Sequence, residues 1–419
     1  MAYADWPDSS QYSYRHCWVI HHFMNSLIKR SALLTAAVLA LTPSATAFDP
    51  VSAASVFSRL AVEPELSNPS VSLVDVSTGE VVFESNAFSQ RKPASTMKIL
   101  AAAATLKHLQ PDKVFTTRVS IAKVPDAIVI DGEFDPWVAM DHRVATKMNR
   151  TSFPRIAFNS LSKIKESSGG SIKKLKVYYN DIYANEVASY KAFFRKRGVT
   201  ASFIKVNNEK ATSLVSEEIL ISESPQVIKM LDWFMLWSDN QLSERMAKLA
   251  AKSAGNGFSD EGVAITFAEI LISYGINPAQ MVVIDASGLS RQNKVTAHVL
   301  AQLLFKIHSD PVLSKLIESL PVGGKSGTLQ SRYIKTAPDA IGLVKAKTGT
   351  LSGTVSLAGF VQSGDREYAF AIIADKIGRT NSASDRARKT LDRYLAKIAA
   401  PLAIPASESA TVVTEVQIL

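Results

Sequence analysis

Several features that mark common protein classes are scarce in this chain. Cysteine occurs once in 419 residues, as Cys17, close to the N-terminus. Disulfides, a cysteine nucleophile and cysteine-ligated zinc are therefore excluded from the rest of the chain. Glycine and proline, at 19 and 17 residues, are too few for a fibrous or low-complexity protein. What remains is a globular protein, long enough for a large domain and a smaller module.

Motifs of several familiar enzyme classes are also missing. No histidine lies in an H-E-x-x-H zinc motif, and no G-x-S-x-G nucleophile elbow occurs. Gly323-Gly324-Lys325-Ser326 is similar to a phosphate-binding loop, but Ser319 occupies the position of the first glycine that such a loop requires. We therefore expect no metal and no cofactor. A Ser-His-Asp triad stays open at this stage.

Positive charge is in excess, with a formal net charge of +9. The excess is concentrated in residues 141–210, which hold fifteen Lys and Arg against five Asp and Glu. We predict that residues 117–214 form an inserted basic domain. Its charge indicates either a solvated face or a surface for an anionic polymer. No basic-aromatic module of the nucleic-acid-binding type is present, so we expect no nucleic-acid partner.

The first 47 residues are typical of a leader that ends in a signal peptide. Lys29 and Arg30 are followed by a short apolar run at 32–41, and Ala45-Thr46-Ala47 forms an A-x-A cleavage pattern. The run is far shorter than the ~20 residues that span a bilayer. We predict that translation begins at Met24 and that the protein is exported, to the periplasm or the extracellular space. An uncleaved membrane anchor is the alternative.

Periodicity beyond the leader predicts an α+β fold, with an antiparallel sheet flanked by helices and formed from both ends of the chain. Residues 48–116 and 215–400 form its main part, and residues 401–419 are expected to be a flexible tail. A hairpin is predicted at 71–83, with further strands at 340–347, 355–362 and 368–374. Helices are predicted at 95–109, 224–237, 241–254, 265–274, 296–309 and 386–399. The first helix is expected to carry Ser95, and the edge strand Lys347.

Ser95-Thr96-Met97-Lys98 opens an apolar helix. At positions i and i+3 the hydroxyl of Ser95 and the amine of Lys98 share one helix face. A serine needs a neighbouring base to take its proton, and a lysine serves when burial and nearby positive charge lower its pKa. Backbone N–H groups at the helix start would stabilise an oxyanion. The motif alone is weak, but a lysine inside an apolar helix requires an explanation.

Two further short motifs follow along the chain. Ser238-Asp239-Asn240 lies between two predicted helices, where Ser238 could relay a proton and Asn240 could hold Lys98 and a substrate amide; a simple helix cap is the alternative. Lys347-Thr348-Gly349-Thr350 ends a predicted strand, where a cation and hydroxyls could bind a carboxylate. Gly349 would allow a peptide backbone to approach. The order S-x-x-K, S-D-N, K-T-G is that of penicillin-binding proteins and class A β-lactamases.

With these motifs the chain resembles the D-alanyl-D-alanine carboxypeptidase/endopeptidase family of low-molecular-mass, class C penicillin-binding proteins (peptidase family S13). The resemblance extends over residues 48–399, and it departs from the family pattern at 132–136, where Gly-Glu-Phe-Asp-Pro replaces G-D-P-x-L in a shortened insert. The segments that carry it are Pro93 to Lys98, Ser238 to Asn240, Asp285 to Asn293, Ala346 to Leu351 and Leu357 to Phe360. We expect the segment Gly288-Leu289-Ser290 to be mainly structural, a loop that enters a helix.

The resemblance implies a penicillin-binding-protein-like transpeptidase fold and a serine peptidase. Ser95 would be the nucleophile and Lys98 its base, with Ser238 and Asn240 as the second catalytic element. Lys347, Thr348, Gly349 and Thr350 would bind the substrate, and the N–H groups of Ser95 and Thr350 would form the oxyanion hole. Peptidoglycan peptides and β-lactam antibiotics would be the partners, and an anionic cell-wall polymer could bind the basic insert.

Two other functions stay open. A serine β-lactamase shares the three motifs, but no Glu-x-x-Leu-Asn element for a deacylating glutamate occurs between Asn240 and Lys347. A non-catalytic cell-wall binding protein of the same fold is a different class of answer, which the intact motifs disfavour. The sequence does not separate carboxypeptidase from endopeptidase action, because both cleave a bond beside D-alanine.

Overall fold

A computed structural model describes residues 48–400. The predicted leader and signal peptide at 1–47, the start at Met24 and the tail at 401–419 lie outside the described residues. Within residues 48–400, no helix combines the length and the apolar character needed to cross a bilayer.

The main sheet joins the two ends of the chain. Its five strands run in the order β2-β1-β10-β9-β8, and every neighbouring pair is antiparallel. The predicted hairpin is confirmed as β1 and β2, and β8 is an edge strand, as expected. The strands are β1 (Ser70–Asp75), β2 (Val81–Ser85), β8 (Val344–Leu351), β9 (Thr354–Ser363) and β10 (Arg366–Ala374).

Helices cover both faces of this sheet. Alternate residues of β9 and β10 point to opposite faces, so Phe360 packs in one apolar cluster and Leu357 and Phe370 in another. The predicted antiparallel sheet flanked by helices is therefore confirmed. The two clusters are formed with α1 (Pro50–Ala61) and α12 (Asn381–Ile398) on one face, and with α2 (Lys98–His108), α7 (Val227–Trp237), α8 (Asn240–Ser253), α9 (Asp260–Ser273), α10 (Ala297–Ser309) and α11 (Lys315–Glu318) on the other.

A second five-stranded sheet lies between the first two motifs, in the order β6-β5-β4-β3-β7. Strands β4, β5 and β6 are parallel, whereas β3 pairs antiparallel with β4 and β7. Apolar clusters lie on both faces. Its elements are β3 (Thr116–Ala122), β4 (Ala127–Gly132), α3 (His142–Lys147), α4 (Phe153–Ser167), β5 (Lys174–Asn180), α5 (Ala184–Arg195), β6 (Thr200–Lys205), α6 (Asn208–Leu214) and β7 (Val215–Glu223). Strand β7 belongs to this sheet, so the sheet extends past residue 214, the predicted end of the inserted domain. The division into domains stays a prediction.

Three local expectations are corrected. Helix α1 precedes Ser95, so the nucleophile candidate is not on the first helix. Ser95 itself lies in a 3-10 turn, Ala94–Met97, and the regular helix starts only at Lys98. The strand predicted from Ala340 begins at Val344, because Pro338–Ala340 forms a 3-10 turn and Gly342 has a φ of +86°. Lys347 to Thr350 therefore lie within β8 and do not end it.

Candidate active site

A tight turn presents Ser95 against the edge of the main sheet. Ala94 has a φ of +49°, an unfavourable conformation for alanine that surrounding contacts must hold. One such contact is the carbonyl of Pro93, which accepts hydrogen bonds from the hydroxyls of Thr96 at 2.7 Å and Ser356 at 2.5 Å. Ser356 belongs to β9, so the sheet fixes the turn. Ser95 is left half-buried.

The amine of Lys98 joins three distant segments. Its Nζ lies 3.2 Å from Ser95 Oγ, 2.7 Å from Asn240 Oδ1 and 2.7 Å from the carbonyl oxygen of Ser287. The amide and carbonyl oxygens can only accept. A neutral amine would give its two N–H groups to them, and its lone pair would then face the hydroxyl of Ser95.

The surroundings of Lys98 act on its charge in opposite directions. The side chain has no exposed surface, and this burial lowers the pKa of the amine to about 8. The carboxylates of Glu244, Asp239 and Asp285 act the other way, since each favours the ammonium form. Burial is the largest of these effects, and it brings the amine within reach of deprotonation near neutral pH.

The loop between α7 and α8 brings the second motif to the same place. Ser238 adopts the left-handed conformation at a φ of +60° and closes α7, and Asp239 caps α8 through a hydrogen bond from the N–H of Leu242 at 2.9 Å. Asn240 is the first residue of α8 and is exposed to solvent apart from its contact with Lys98. The same tripeptide therefore caps α8 through Asp239 and brings Asn240 to Lys98.

Lys347 lies beneath this loop. Its Nζ is 2.9 Å from Ser238 Oγ and 3.0 Å from the carbonyl oxygen of Thr348, and the side chain is fully buried. Burial, together with the charge of Lys98, holds the pKa of the Lys347 amine well below its usual range. Lys347 thus contacts the predicted proton relay, while its amine has no surface that a carboxylate from solvent could contact.

Strand β8 runs directly past Ser95. A β-carbon on Gly349 would lie 2.2 Å from Ser356 Oγ and 3.0 Å from the backbone nitrogen of Ser95, so only glycine allows this approach. Pleating places Thr348 and Thr350 on the other face, where Thr348 Oγ1 meets Thr328 Oγ1 at 2.7 Å. Of the eight residues predicted for the site, the four from Lys347 to Thr350 lie on β8. Ser95 and Ser238 lie against this strand, and Lys98 links Asn240 to Ser95.

Sequence reasoning missed the role of the loop around Asp285. Glu244, one helical turn after Asn240, accepts the backbone N–H groups of Ala286 at 3.1 Å and Ser287 at 2.7 Å. These bonds aim the carbonyl of Ser287 at Lys98. The sequence predicted that this loop enters a helix, but α10 begins only at Ala297. The signal in the sequence for the role of Glu244 was its i, i+4 spacing from Asn240. Among residues 48–400, no group of His, Cys, Asp and Glu side chains is arranged to hold a metal ion.

The profile of the D-Ala-D-Ala carboxypeptidase 3 (S13) family matches residues 53–142 and 165–398, which is most of the chain. The chain belongs to the S13 family. It is 29% identical over 373 residues to carboxypeptidase DacB of Mycolicibacterium smegmatis, an alignment that covers 76% of this chain and 80% of that one. The resemblance stated from the motifs is therefore confirmed at the level of the family.

Solved structures share the S13 fold. The crystal structure of penicillin binding protein 4 (dacB) from Haemophilus influenzae matches with a TM-score of 0.61 at 17% identity, and covers 81% of this chain and 98% of that chain. The same protein complexed with a novel β-lactam matches with a TM-score of 0.59 at 18% identity over the same shares of the two chains. At these identities the likeness concerns the fold alone.

In this S13 enzyme a glycine packs directly on the Ser95 turn. A β-carbon on Gly288, whose φ is +80°, would lie 1.7 Å from the carbonyl oxygen of Ala94. We predict that Gly288→Ala displaces the turn, lowers the free energy of unfolding by more than about 3 kcal/mol, and slows acylation by penicillin at least tenfold. Thermal melts and labelling with fluorescent penicillin measure the two effects.

A second glycine provides a control that separates backbone strain from steric collision of the added β-carbon. Gly255 has a similar φ of +88°, but a β-carbon there would meet nothing within 4 Å. Gly255→Ala should cost only about 1 kcal/mol of backbone strain and leave labelling unchanged. Equal effects of the two substitutions would contradict the packing of Gly288 on the turn.

A buried arginine of the second sheet's segment holds the S-D-N loop of this S13 family member. Arg150 Nη1 lies 3.2 Å from Asp239 Oδ2, its Nε donates to the carbonyl of Trp137 at 3.0 Å, and its side chain is 4% exposed. The guanidinium also lies 4.9 Å from the centre of the Trp137 ring. Arg150 is therefore placed to position Asp239, and with it the start of α8.

We predict that Arg150→Met removes this support. Asp239 would be left without its cation, which should lower the free energy of unfolding by about 3 kcal/mol and slow penicillin acylation severalfold. The exposed Arg155, on α4 nearby, provides the control, and Arg155→Met should change neither quantity. If penicillin acylates Arg150→Met at the wild-type rate, the segment of the second sheet does not position the loop at Ser238 to Asn240.

Proposed function

We propose that this protein is a serine-type D-Ala-D-Ala carboxypeptidase that acts on peptidoglycan stem peptides through an acyl-Ser95 intermediate and is acylated by β-lactams. One observation carries the proposal: Lys98 Nζ contacts Ser95 Oγ and Asn240 Oδ1 at once, while Lys347 Nζ contacts Ser238 Oγ. Residues from three remote motifs thus form two hydrogen-bonded groups beside an edge strand, and the tripeptide Ser238-Asp239-Asn240 contributes to both.

Acylation follows from the position of Lys98. The neutral amine accepts the proton of Ser95 as Oγ attacks the carbonyl carbon of the D-Ala-D-Ala amide. Negative charge develops on the carbonyl oxygen, where the N–H groups of Ser95 and Thr350 are proposed to stabilise it. The resulting ammonium of Lys98 is met by the oxygens of Asn240 and Ser287, and by the nearby carboxylates.

Departure of D-alanine needs a proton on its nitrogen. Ser238 is proposed to donate its hydroxyl proton to that nitrogen. It then recovers a proton from the ammonium of Lys98. The buried Lys347 amine holds the hydroxyl of Ser238 in place at 2.9 Å. The C–N bond then breaks, D-alanine leaves, and the acyl group remains on Ser95 as an ester that water hydrolyses.

Deacylation separates this proposal from a β-lactamase. A class A β-lactamase uses a glutamate to activate the hydrolytic water. Glu244 lies near Lys98, but both of its carboxylate oxygens accept loop N–H groups, at 3.1 Å and 2.7 Å. These bonds support a structural role for Glu244. Because Glu244 is then not the base that activates the hydrolytic water, we expect a penicilloyl ester on Ser95 to be hydrolysed slowly.

Relatives support the substrate class. The Mycolicibacterium protein is named a carboxypeptidase, and one Haemophilus structure contains a β-lactam. We further propose that the protein works outside the cytoplasm and that its basic segment contacts an anionic cell-wall polymer. The excess of fifteen basic over five acidic residues at 141–210 supports this, as does the exposure of Lys174 and Lys176 on β5.

Two synthetic substrates test the proposed function. Purified protein is incubated with a peptidoglycan pentapeptide that ends in D-Ala-D-Ala, and separately with a cross-linked dimer. Free D-alanine from the pentapeptide establishes carboxypeptidase action, and shortening of the dimer establishes endopeptidase action. Absence of both products, together with absence of penicillin labelling, would favour the non-catalytic binding protein.

A further inference from the structure

A buried carboxylate at the end of β10 anchors the chain that leads into the Ser95 turn. Asp375 directly follows β10, and its Oδ1 lies 3.1 Å from Arg91 Nη1. Its Oδ2 accepts a hydrogen bond from the backbone N–H of Lys92 at 3.2 Å. The side chains of Asp375 and Arg91 are only 8% and 5% exposed, so water screens this ion pair little. Asp375 therefore holds two consecutive residues that lie shortly before Ser95.

The contacts of this segment differ in what they fix. The backbone of Arg91 exchanges two hydrogen bonds with that of Val295, at 2.9 and 3.0 Å. The amine of Lys92 lies 3.9 Å from Asp375 Oδ2 and its side chain is 26% exposed, so this second ion pair contributes little. The bond from the N–H of Lys92 is the last backbone support before Pro93, because proline has no N–H to donate.

The Ser95 turn depends on such support because it contains a strained residue. Ala94 has a φ of +49°, and a residue in this conformation keeps it only where the surrounding structure holds it on both sides. On one side, the carbonyl of Pro93 is held by the hydroxyl of Ser356 on β9, the strand that pairs with β10. Asp375 holds the chain on the other side of Pro93, from the end of β10.

We propose that Asp375 is a positioning residue for the nucleophile. By fixing the chain at Lys92, it keeps Ala94 in the left-handed conformation and Ser95 Oγ within reach of the Lys98 amine. This inference rests on the proposed function. Without the anchor Ala94 can relax to a negative φ, which lengthens the 3.2 Å contact between Ser95 Oγ and Lys98 Nζ. Strand β9 separates β8 from β10, so the binding of substrate along β8 should not change.

Asp375→Asn tests the anchor in the full chain. The nitrogen of the amide can only donate, so the bond from Arg91 or the bond from Lys92 is lost. The acylation rate at a saturating concentration of a chromogenic β-lactam should fall about tenfold, because the nucleophile is misplaced. The half-saturating concentration should change less than about threefold, and stopped-flow traces give both quantities. If Asp375→Asn does not fold, Arg91→Gln breaks the pair from the other side and should show the same loss.

Replacement of the strained residue separates positioning from stability. Glycine adopts a φ near +50° without steric cost, so in an Ala94→Gly background the turn no longer depends on its anchor. The loss caused by Asp375→Asn, or by Arg91→Gln, should therefore shrink to less than about threefold in that background. A loss of the same size in both backgrounds would overturn the inference, because Asp375 would then act only through the stability of the fold.

Asp75 provides a matched control at the opposite end of the main sheet. Its side chain is 1% exposed, and its Oδ2 lies 3.0 Å from Arg366 Nη1. It pairs with Tyr368, about 23 Å along β10 from Asp375. Asp75→Asn should lower Tm by a few degrees, as Asp375→Asn does, and leave the acylation rate unchanged.

Two further results would count against the positioning role. Acylation of Asp375→Asn at the wild-type rate, or an equal loss of rate in Asp75→Asn, would overturn it. Wild-type protein that penicillin does not label at Ser95 would instead overturn the proposed function itself.

Discussion

Replacement of Ser95 by alanine is expected to abolish penicillin labelling and D-alanine release. The hydroxyl of Ser95 is the atom that forms the ester, and no other group can replace it, so the rate should fall at least about 10⁴-fold. Stability should change by no more than about 1 kcal/mol, because the half-buried side chain makes one 3.2 Å contact, with Lys98. Gel fluorescence after labelling and a thermal melt measure the two quantities on the same sample.

The control for this substitution is a hydroxyl of the neighbouring loop. Ser290 accepts a hydrogen bond from the N–H of Gln292 at 3.2 Å. Ser290→Ala should retain labelling close to the wild-type level. Labelling that persists in Ser95→Ala would assign the ester to another residue, and a melt that collapses in that variant would show that Ser95 has a structural role.

The second large effect is expected for Lys98→Met, which keeps an unbranched side chain one atom shorter and removes the base. Without an amine to accept the proton of Ser95, acylation should slow by about 10³-fold, near the middle of the range for general base catalysis. The variant also leaves the oxygens of Asn240 and Ser287 without their shared donor. Stopped-flow acylation by a chromogenic β-lactam measures the rate.

The pH dependence provides an independent test of the same residue. Since burial lowers the pKa of Lys98 to about 8, about one molecule in ten carries the neutral amine at pH 7. The acylation rate of the wild type should therefore rise about tenfold from pH 7 to a plateau above pH 9, and Lys98→Met should lack this step. A wild-type rate that is flat across this range, or one that falls, would contradict the role of Lys98 as base.

The sequence predicted which residues lie close together better than it predicted the groups that surround them. Ser95 and Lys98 are three residues apart, so helix geometry alone places them together. Motif order pointed to Ser238, Asn240 and Lys347, although their contacts join residues more than a hundred positions apart. The main sheet was predictable because its strands are short runs rich in apolar and β-branched residues.

Features that depend on tertiary packing were not predictable in this way. The left-handed Ala94 is held by packing from Gly288 and β9, and no local pattern marks it. Glu244 is an ordinary charged residue of an amphipathic helix until the fold brings it to the loop beside Lys98. The strand start at Val344 was missed because apolar residues continue upstream of it through a turn.

The pairing of β1 with β10 determines when the main sheet can form during synthesis of the chain. Residues 70–75 emerge from the ribosome about 300 residues before their partners at 368–373. A nascent chain that already contains the Ser95 turn still lacks Lys347 and Ser356, and closing so long a loop is entropically slow. Acyl-transfer chemistry is thereby withheld until β8, β9 and β10 have been made, and a chain that stops before them carries an inert nucleophile.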